Sequence, residues 1–175
     1  MIDAARAGDE GAYAALIRRY SDLAFRAAYL VTRNSADAED ACQEAFAKAY
    51  RALLRFRVGA PFRPWLLRIV TNEARNRMRS NRRHENLRIR AVSGIHVLDA
   101  DPADRILTEE ARRSLLVAVE DLALQDREII TYRFFLDLSV AETAQALSIA
   151  EGTVKSRLAR ALSRLSEHIV EEEHS

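Results

Sequence analysis

Five glycines and three prolines are spread over 175 residues, and this scarcity of chain breakers constrains the fold more than any other feature. Folds built from many short strands need tight turns, and tight turns need glycine or proline. Alanine, leucine, arginine and glutamate fill the chain instead, and all are good helix formers. The reading is all-α. The length suits one ordinary domain or two small ones. With 49% apolar and 30% charged residues, the chain is too apolar for disorder and too interrupted by charge to cross a membrane. The opening Met1-Ile2-Asp3-Ala4-Ala5-Arg6 lacks a basic patch followed by an apolar block, so no signal peptide is expected. A single cysteine, Cys42, excludes an intramolecular disulfide and argues against a thiolate zinc site. A cytoplasmic protein is expected.

Hydrophobic periodicity lays out the helices. Gly8-Asp9-Glu10 reads as a helix start, and Leu16, Tyr20, Leu23, Ala24, Ala27 and Leu30 then recur at three- and four-residue spacing. Asn34-Ser35 breaks this stripe, and Ser35 or Asp37 is expected to cap a second helix running to about Phe56. On it, Ala41, Cys42, Ala45, Phe46, Ala49 and Leu53 take one side, which makes Cys42 a buried thiol. Asp37, Asp40, Glu44, Lys48 and Arg51 take the other. Val58-Gly59-Ala60-Pro61-Phe62-Arg63-Pro64 is predicted as a loop. A third helix follows over Trp65 to about Arg83, with Trp65, Leu66, Ile69, Val70 and Met78 inward and Arg68, Arg75, Arg79 and Arg82 outward. Order weakens over 84–107, which reads as a linker between an N-terminal unit, 1–83, and a C-terminal unit, 108–175. Neither is large, so two small helical bundles are expected.

The formal net charge of +1 hides a polarised chain. Residues 51–90 hold twelve arginines against Glu73 and Glu85, a local net of +10, leaving 15 basic and 24 acidic residues elsewhere, a net of −9. Such asymmetry suits one face for a polyanion and other faces for different partners.

The C-terminal unit restarts at Thr108-Glu109-Glu110, and Asp126-Arg127-Glu128 opens a helix carrying Ile129, Ile130 and Phe134. Ser139 to Leu147 then reads as a short helix with Ser139 as N-cap and Glu142 three residues on, a capping box. Ser148-Ile149-Ala150 is a three-residue turn, and a further helix starts at Glu151. Two helices joined so tightly, with Ala144 at the crossing and Leu147, Ile149, Val154 and Leu158 inside, form a helix-turn-helix. Lys155, Ser156, Arg157 and Arg160 fall near the start of the second helix, where a recognition helix meets base edges and phosphates.

The first half indicates what such a unit would serve. Asp37-Ala38-Glu39-Asp40-Ala41-Cys42-Gln43-Glu44-Ala45-Phe46, followed by Pro61-Phe62-Arg63-Pro64-Trp65-Leu66-Leu67-Arg68-Ile69-Val70-Thr71-Asn72, resembles sigma region 2 of bacterial transcription initiation factors. Asp126-Arg127-Glu128 and Gly152-Thr153-Val154-Lys155-Ser156-Arg157-Leu158 look like sigma region 4. A chain with these two regions and a short linker resembles the extracytoplasmic-function (ECF) sigma factors over residues 8–83 and 110–166.

The resemblance implies binding to core RNA polymerase, at its β′ coiled coil and β flap, and to promoter DNA, with no membrane insertion and no cofactor or metal. Asp37, Asp40, Gln43 and Glu44 would contact the β′ coiled coil, acids on an exposed face suiting a basic partner. Phe56 to Pro64 and the helix after it would read the −10 element as single strand. That needs an apolar pocket for an unstacked base, a polar group for its edge and a cationic track for phosphate. Phe56, Phe62, Ile69 and Asn72 offer the first two, and Arg57, Arg63, Arg68, Arg75 and Arg79 the third. Trp65 fits either a base contact or an anchor of the loop. Lys155, Ser156, Ala159 and Arg160 would face bases of the −35 duplex, while Thr153 and Arg157 hold phosphate and fix register. Many members are held inactive by an anti-sigma protein wedged between the halves, and the sequence permits such a partner. The linker would thread the polymerase cleft or serve as a plain tether.

Three positions depart from the family pattern: Leu122-Ala123 replaces Leu-Pro, Ser148 replaces a glycine of the turn, and Thr143 stands where isoleucine is frequent. A stand-alone helix-turn-helix regulator would explain the second half and leave the Asp37–Asn72 pattern as coincidence. An enzyme is not expected. The four histidines (84, 96, 168, 174) have no metal-ligand spacing, and there is neither a glycine-rich phosphate loop nor a nucleophile elbow.

Overall fold

Good caps, where the sequence offers them, define the helices of the computed structural model, which describes residues 1–57, 59–85, 118–119 and 122–173. A short α1 (Ile2–Arg6) precedes α2 (Glu10–Thr32), whose N-cap Asp9 accepts a hydrogen bond from the Ala12 N–H. That bond satisfies one of the amides a helix start leaves unpaired. α2 ends where Arg33 turns left-handed at φ 55°. Then α3 (Ser35–Leu53) is capped by Asn34, neither Ser35 nor Asp37: the Asn34 side chain accepts from the Asp37 N–H. Asn34 has the extended backbone a cap requires, with φ −142° and ψ 127°, while Ser35 and Asp37 are already helical. α3 also stops at Leu53, short of Phe56.

α4 spans Phe62–Glu85, so it begins inside the stretch read as a loop and extends past Arg83. Pro64 is tolerated because it lies in the first turn, where an amide has no helical acceptor to lose. The expected linker therefore starts no earlier than residue 86. Its remainder, and the restart at Thr108-Glu109-Glu110, lie outside the described residues. The C-terminal unit contains α5 (Leu124–Ile130), a π-helical turn (Thr131–Phe135), α6 (Val140–Leu147) and α7 (Glu151–Glu173). No strand occurs among the described residues, and the chain is all-α.

α2, α3 and α4 pack pairwise against one another. Between α2 and α3 the buried residues are largely alanines: Ala24, Ala27 and Ala28 on one helix, Ala38, Ala41, Ala45 and Ala49 on the other. Small side chains bring two helices close, and a leucine in such a seam would overpack it, at a cost of about 1–3 kcal/mol. Cys42 is buried beside this seam, and burial pushes its thiol up to about 12. The Tyr13 hydroxyl donates to the Phe46 carbonyl and ties α2 to α3, and burial pushes this phenol up to about 12.

The two units do not keep separate cores. Ile129, Tyr132, Leu136, Leu138, Ala144 and Leu147 of the C-terminal unit join one buried cluster with the residues of α2, α3 and α4. A second, smaller cluster of Ala118, Val119, Leu122, Ile130, Ala161 and Leu165 belongs to the C-terminal unit alone.

Candidate functional site

The helix-turn-helix is built as its sequence implies. The Ser139 side chain accepts from the Glu142 N–H, and the Glu142 carboxylate accepts in return from the Ser139 N–H at 2.9 Å. That backbone bond is the largest cause of a Glu142 pKa held below the ordinary carboxylate value. α6 ends at Ser148, which takes the left-handed conformation at φ 56° that favours glycine. Val154 and Ala161 of α7 are fully buried, while Lys155, Ser156, Ala159 and Arg160 are exposed and Thr153 and Arg157 half-buried. Ser156 turns its hydroxyl back to the Thr153 carbonyl. All six residues predicted to meet the −35 duplex thus sit on one helix, the four expected to face bases on its open face.

Asp40, Gln43 and Glu44 follow Asp37 by three, six and seven residues along α3, with Gln43 and Glu44 exposed and the two aspartates half-buried. Arg77 of α4 pairs with both Asp37 and Asp40, and the Asn81 amide donates to Asp37 at 2.7 Å. Lys48 bridges Glu44 and Glu73. Glu73, first, and then burial acting against it and Glu44 set the Lys48 pKa above its usual value. Beside this polar line lies an open cleft of about 500 Å³ lined by Glu10, Tyr13, Ile17, Gln43, Phe46, Ala47 and Tyr50. Sequence reasoning missed its aromatic wall. Tyr50 lies seven residues after Gln43 and so shares its face, a spacing that could have shown it.

The predicted single-strand reader divides in two. Arg57, Arg68, Asn72 and Arg79 are exposed, and Ile69 is half-buried. Phe56 and Phe62, expected to form a base pocket, are each 5% exposed and pack against Trp65 with their rings tilted to it. Their centroids lie 4.8 Å (Phe56) and 5.3 Å (Phe62) from that of Trp65, and Tyr20 of α2 completes the cluster at 5.3 Å from Phe62. Such aromatic contacts tie Phe56, Phe62 and Trp65 to α2.

Arg63 and Arg75 are not free. Arg63 donates to the carbonyls of Leu136 and Asp137, and Arg75 holds Glu128 in a two-pronged pair at 2.6 and 3.0 Å. The Thr71 and Tyr132 hydroxyls share a buried hydrogen bond nearby. Asp126 and Glu128, which read as acids at a helix start, are buried, and Asp126 pairs with Arg164 of α7. Among the described residues no cluster of His, Cys, Asp and Glu could hold a metal ion, and no helix is long and apolar enough to cross a membrane.

Two family models match this chain: Sigma-70 region 2 over residues 16–84 and Sigma-70, region 4 over residues 112–165. The ECF RNA polymerase sigma factor SigM of Mycobacterium tuberculosis is 36% identical over 160 residues, covering 91% of this chain and 78% of SigM. The chain belongs to the ECF RNA polymerase sigma factors. The ECF sigma-E factor of Escherichia coli K12 is 35% identical over 171 residues, 92% of this chain and 88% of that one. Among solved structures, CnrH in complex with the cytosolic domain of CnrY superposes with a TM-score of 0.70 at 27% identity, over 96% of this chain and 94% of that one.

Membership in the ECF sigma factors disfavours the stand-alone regulator, which leaves the region 2 match without a role. It also gives the departures a structural meaning. Ala123, in the place of proline, has φ −53°, inside the range a proline ring imposes. Thr143 is fully buried, and its hydroxyl has no hydrogen-bond partner among the described residues.

Proposed function

We propose that this ECF sigma factor docks on core RNA polymerase through α3, opens and holds the −10 element with α4, and holds the −35 element with α7. The observation that carries this reading is the presence, in one chain, of a capped helix-turn-helix with an open cationic face and a second helix bundle with an arginine-lined helix. Neither unit alone would place both elements of a promoter.

In this reading residues 1–83 bind core polymerase and the −10 element, 108–175 bind the −35 element, and 84–107 join them. Asp37, Asp40, Gln43 and Glu44 meet the β′ coiled coil, and the adjoining cleft supplies Phe46 and Tyr50 as apolar contacts. The β flap receives the C-terminal unit. Asn72, with Ile69 beside it, meets an extruded base, while Arg57, Arg68 and Arg79 follow the phosphates, and Arg63 and Arg75 join them once released. Phe56, Phe62 and Trp65 hold the loop in place. On the duplex, Lys155, Ser156, Ala159 and Arg160 face bases, and Thr153 and Arg157 fix register. Strand opening draws on tighter binding of the melted than of the paired strand, so the protein needs no cofactor, no hydrolysis and no catalytic residue. Its place is the cytoplasm, with the polymerase. The complex of CnrH with the cytosolic domain of CnrY supports a protein partner for this chain as well, and an anti-sigma protein is the partner proposed.

The test is transcription in vitro with purified bacterial core polymerase on a pool of upstream regions that includes the gene's own. Discrete start sites that depend on this protein are the expected result, and their alignment yields both promoter elements. Failure to bind core, together with tight duplex binding by the protein alone, would overturn the proposal.

A further inference from the structure

The smaller buried cluster, the one that belongs to the C-terminal unit alone, has a charged edge. Ile130 of α5 packs there with Ala161 and Leu165 of α7, and the Arg164 guanidinium of α7 donates to Asp126 of α5 at 3.2 Å. The Asp126 side chain is 6% exposed and that of Arg164 49%. A carboxylate so deeply buried is costly unless its charge is matched, and Arg164 is its match among the described residues. The bond does not use up the guanidinium. A guanidinium carries five donors in a rigid fork, and the bond to Asp126 takes one nitrogen, Nη1.

The helix position of Arg164 says what its open half faces. At about 100° per residue, Thr153, Arg157, Arg160 and Arg164 fall within about 60° of one another, with Arg164 near the middle of the stripe. The buried side of α7, with Val154, Ala161 and Leu165, lies about a quarter-turn away. Thr153 and Arg157 of this stripe are the two residues assigned to phosphate. Arg164 stands thirteen residues after the start of α7 at Glu151, which is about 20 Å along the axis. The major groove is about 12 Å wide, so Arg164 lies past the base edges, where the backbone runs. An unheld arginine gives up rotamer freedom when it grips a phosphate. One already held by a buried carboxylate has less to give up.

We propose that Arg164 is a further −35 contact, gripping a backbone phosphate at the far edge of the groove, and that buried Asp126 is the positioning residue that aims it. The proposal rests on the −35 role given to α7.

The experiment uses the full chain with core polymerase and a promoter mapped by transcription, with its −35 element intact or scrambled. Affinity is read by filter binding over a range of salt. Arg164→Gln should weaken both templates together, at least about tenfold at low salt, the scale of a hydrogen bond to a charged group. It should also lower the logarithmic salt slope by about 0.9, the share of one phosphate. Arg164→Lys should restore the slope, because the charge is kept, but only part of the affinity, because the fork is lost. Asp126→Asn should weaken binding about threefold or more when Arg164 is present, and not in the Arg164→Gln background. The double-mutant cycle cancels what removing a negative charge does by itself.

A pair that only joined α5 to α7 would lower the melting temperature and leave the salt slope where it was, and that result overturns the proposal. So does a loss confined to the intact template, which would make Arg164 a base reader, or an Asp126→Asn effect equal in both backgrounds. If circular dichroism shows Asp126→Asn unfolded, the salt slope and its rescue by Arg164→Lys decide. A wild type that does not distinguish the two templates sinks the −35 role of α7 and this proposal with it. A wild type that does, beside an Arg164→Gln that binds equally well, sinks this proposal alone.

Discussion

Arg160→Ala gives the most direct test of how this chain would hold a −35 element. Arg160 stands nine residues after the start of α7 at Glu151, which at 1.5 Å per residue is about 14 Å along the helix axis. The major groove is about 12 Å wide, so a helix entering by its N-terminus carries Lys155 inside the groove and Arg160 to its far wall. The side chain is exposed and makes no ion pair among the described residues. Removing it should leave stability within about 0.5 kcal/mol, helped by alanine's higher helix propensity. The loss therefore falls on binding: about 1–3 kcal/mol for a bidentate contact, or roughly 5- to 150-fold in promoter occupancy. The assay is transcription in vitro on two templates with the same −10 element, one with an intact and one with a scrambled −35 element, over a range of salt. The wild type should prefer the intact template, and Arg160→Ala should lose most of that preference. If Arg160 meets phosphate instead, both templates weaken together and the logarithmic salt slope falls by about 0.9. An unchanged preference and an unchanged salt slope would refute the placement of α7. A matching loss of affinity for core polymerase would instead mean that the substitution disturbs the fold of the C-terminal unit, which circular dichroism would show.

Three further outcomes follow from the same geometry. Asn72→Ala, at an exposed position of α4, should slow open-complex formation, read by permanganate reactivity of the −10 region, while core binding stays as in the wild type; unchanged opening would remove Asn72 from the strand-reading set. Glu142→Gln should lower the melting temperature at neutral pH, because the Glu142 pKa is depressed in the fold by its bond to the Ser139 N–H. A depressed acid stabilises above its unfolded value, about 4.3, and loses that contribution as pH falls through its folded value, so the gap between variant and wild type should close on acidification; a gap that persists unchanged at pH 3 would refute the charge argument. Thr143→Val should raise stability by about 1 kcal/mol, since it removes a buried hydroxyl without a partner at nearly constant shape and similar helix propensity; a denaturant midpoint that falls would show that this hydroxyl is satisfied.

The helix-turn-helix was legible because its signals are local. A capping box spans four residues and a three-residue turn admits few geometries, so Ser139, Glu142 and Ser148 could be placed without knowing what packs on them. Cys42 and the alanines of α3 were legible for a related reason, since one helical period separates them from the acids. The cap of α3 was less so. Asn34, Ser35 and Asp37 all have capping side chains, and backbone conformation at a single residue decides among them. The start of α4 was misread because a proline in a first turn looks the same in sequence as a proline in a loop. What distinguishes them is the aromatic cluster of Tyr20, Phe56, Phe62 and Trp65, drawn from two helices and a loop. Glu128 and Asp126 were illegible altogether. Their partners, Arg75 and Arg164, stand 53 and 38 residues away, and a buried ion pair leaves no periodic trace in either strand of sequence.

The pairing of α3 with α4 bears on why core docking and strand reading would be one event. Arg77 and Asn81 of α4 hold Asp37 and Asp40, and Glu73 of α4 holds Lys48. Individually such surface pairs contribute little, about 0–1 kcal/mol each. Their effect is on geometry: three ties spread along both helices leave α4 little freedom to rotate about α3 or slide past it. The acids proposed to meet polymerase are thus oriented by the helix proposed to read DNA. Less side-chain freedom is lost when those acids bind, and the enzyme surface that receives α3 sets the position of Asn72 at the same time. The polarised charge fits this arrangement. Arginines crowded on α4 would repel one another as a free-standing helix. Against the acids of α3 on one side and Glu128 on the other, some are neutralised, and among the described side chains Arg68 and Arg79 remain open on the face where a strand would lie.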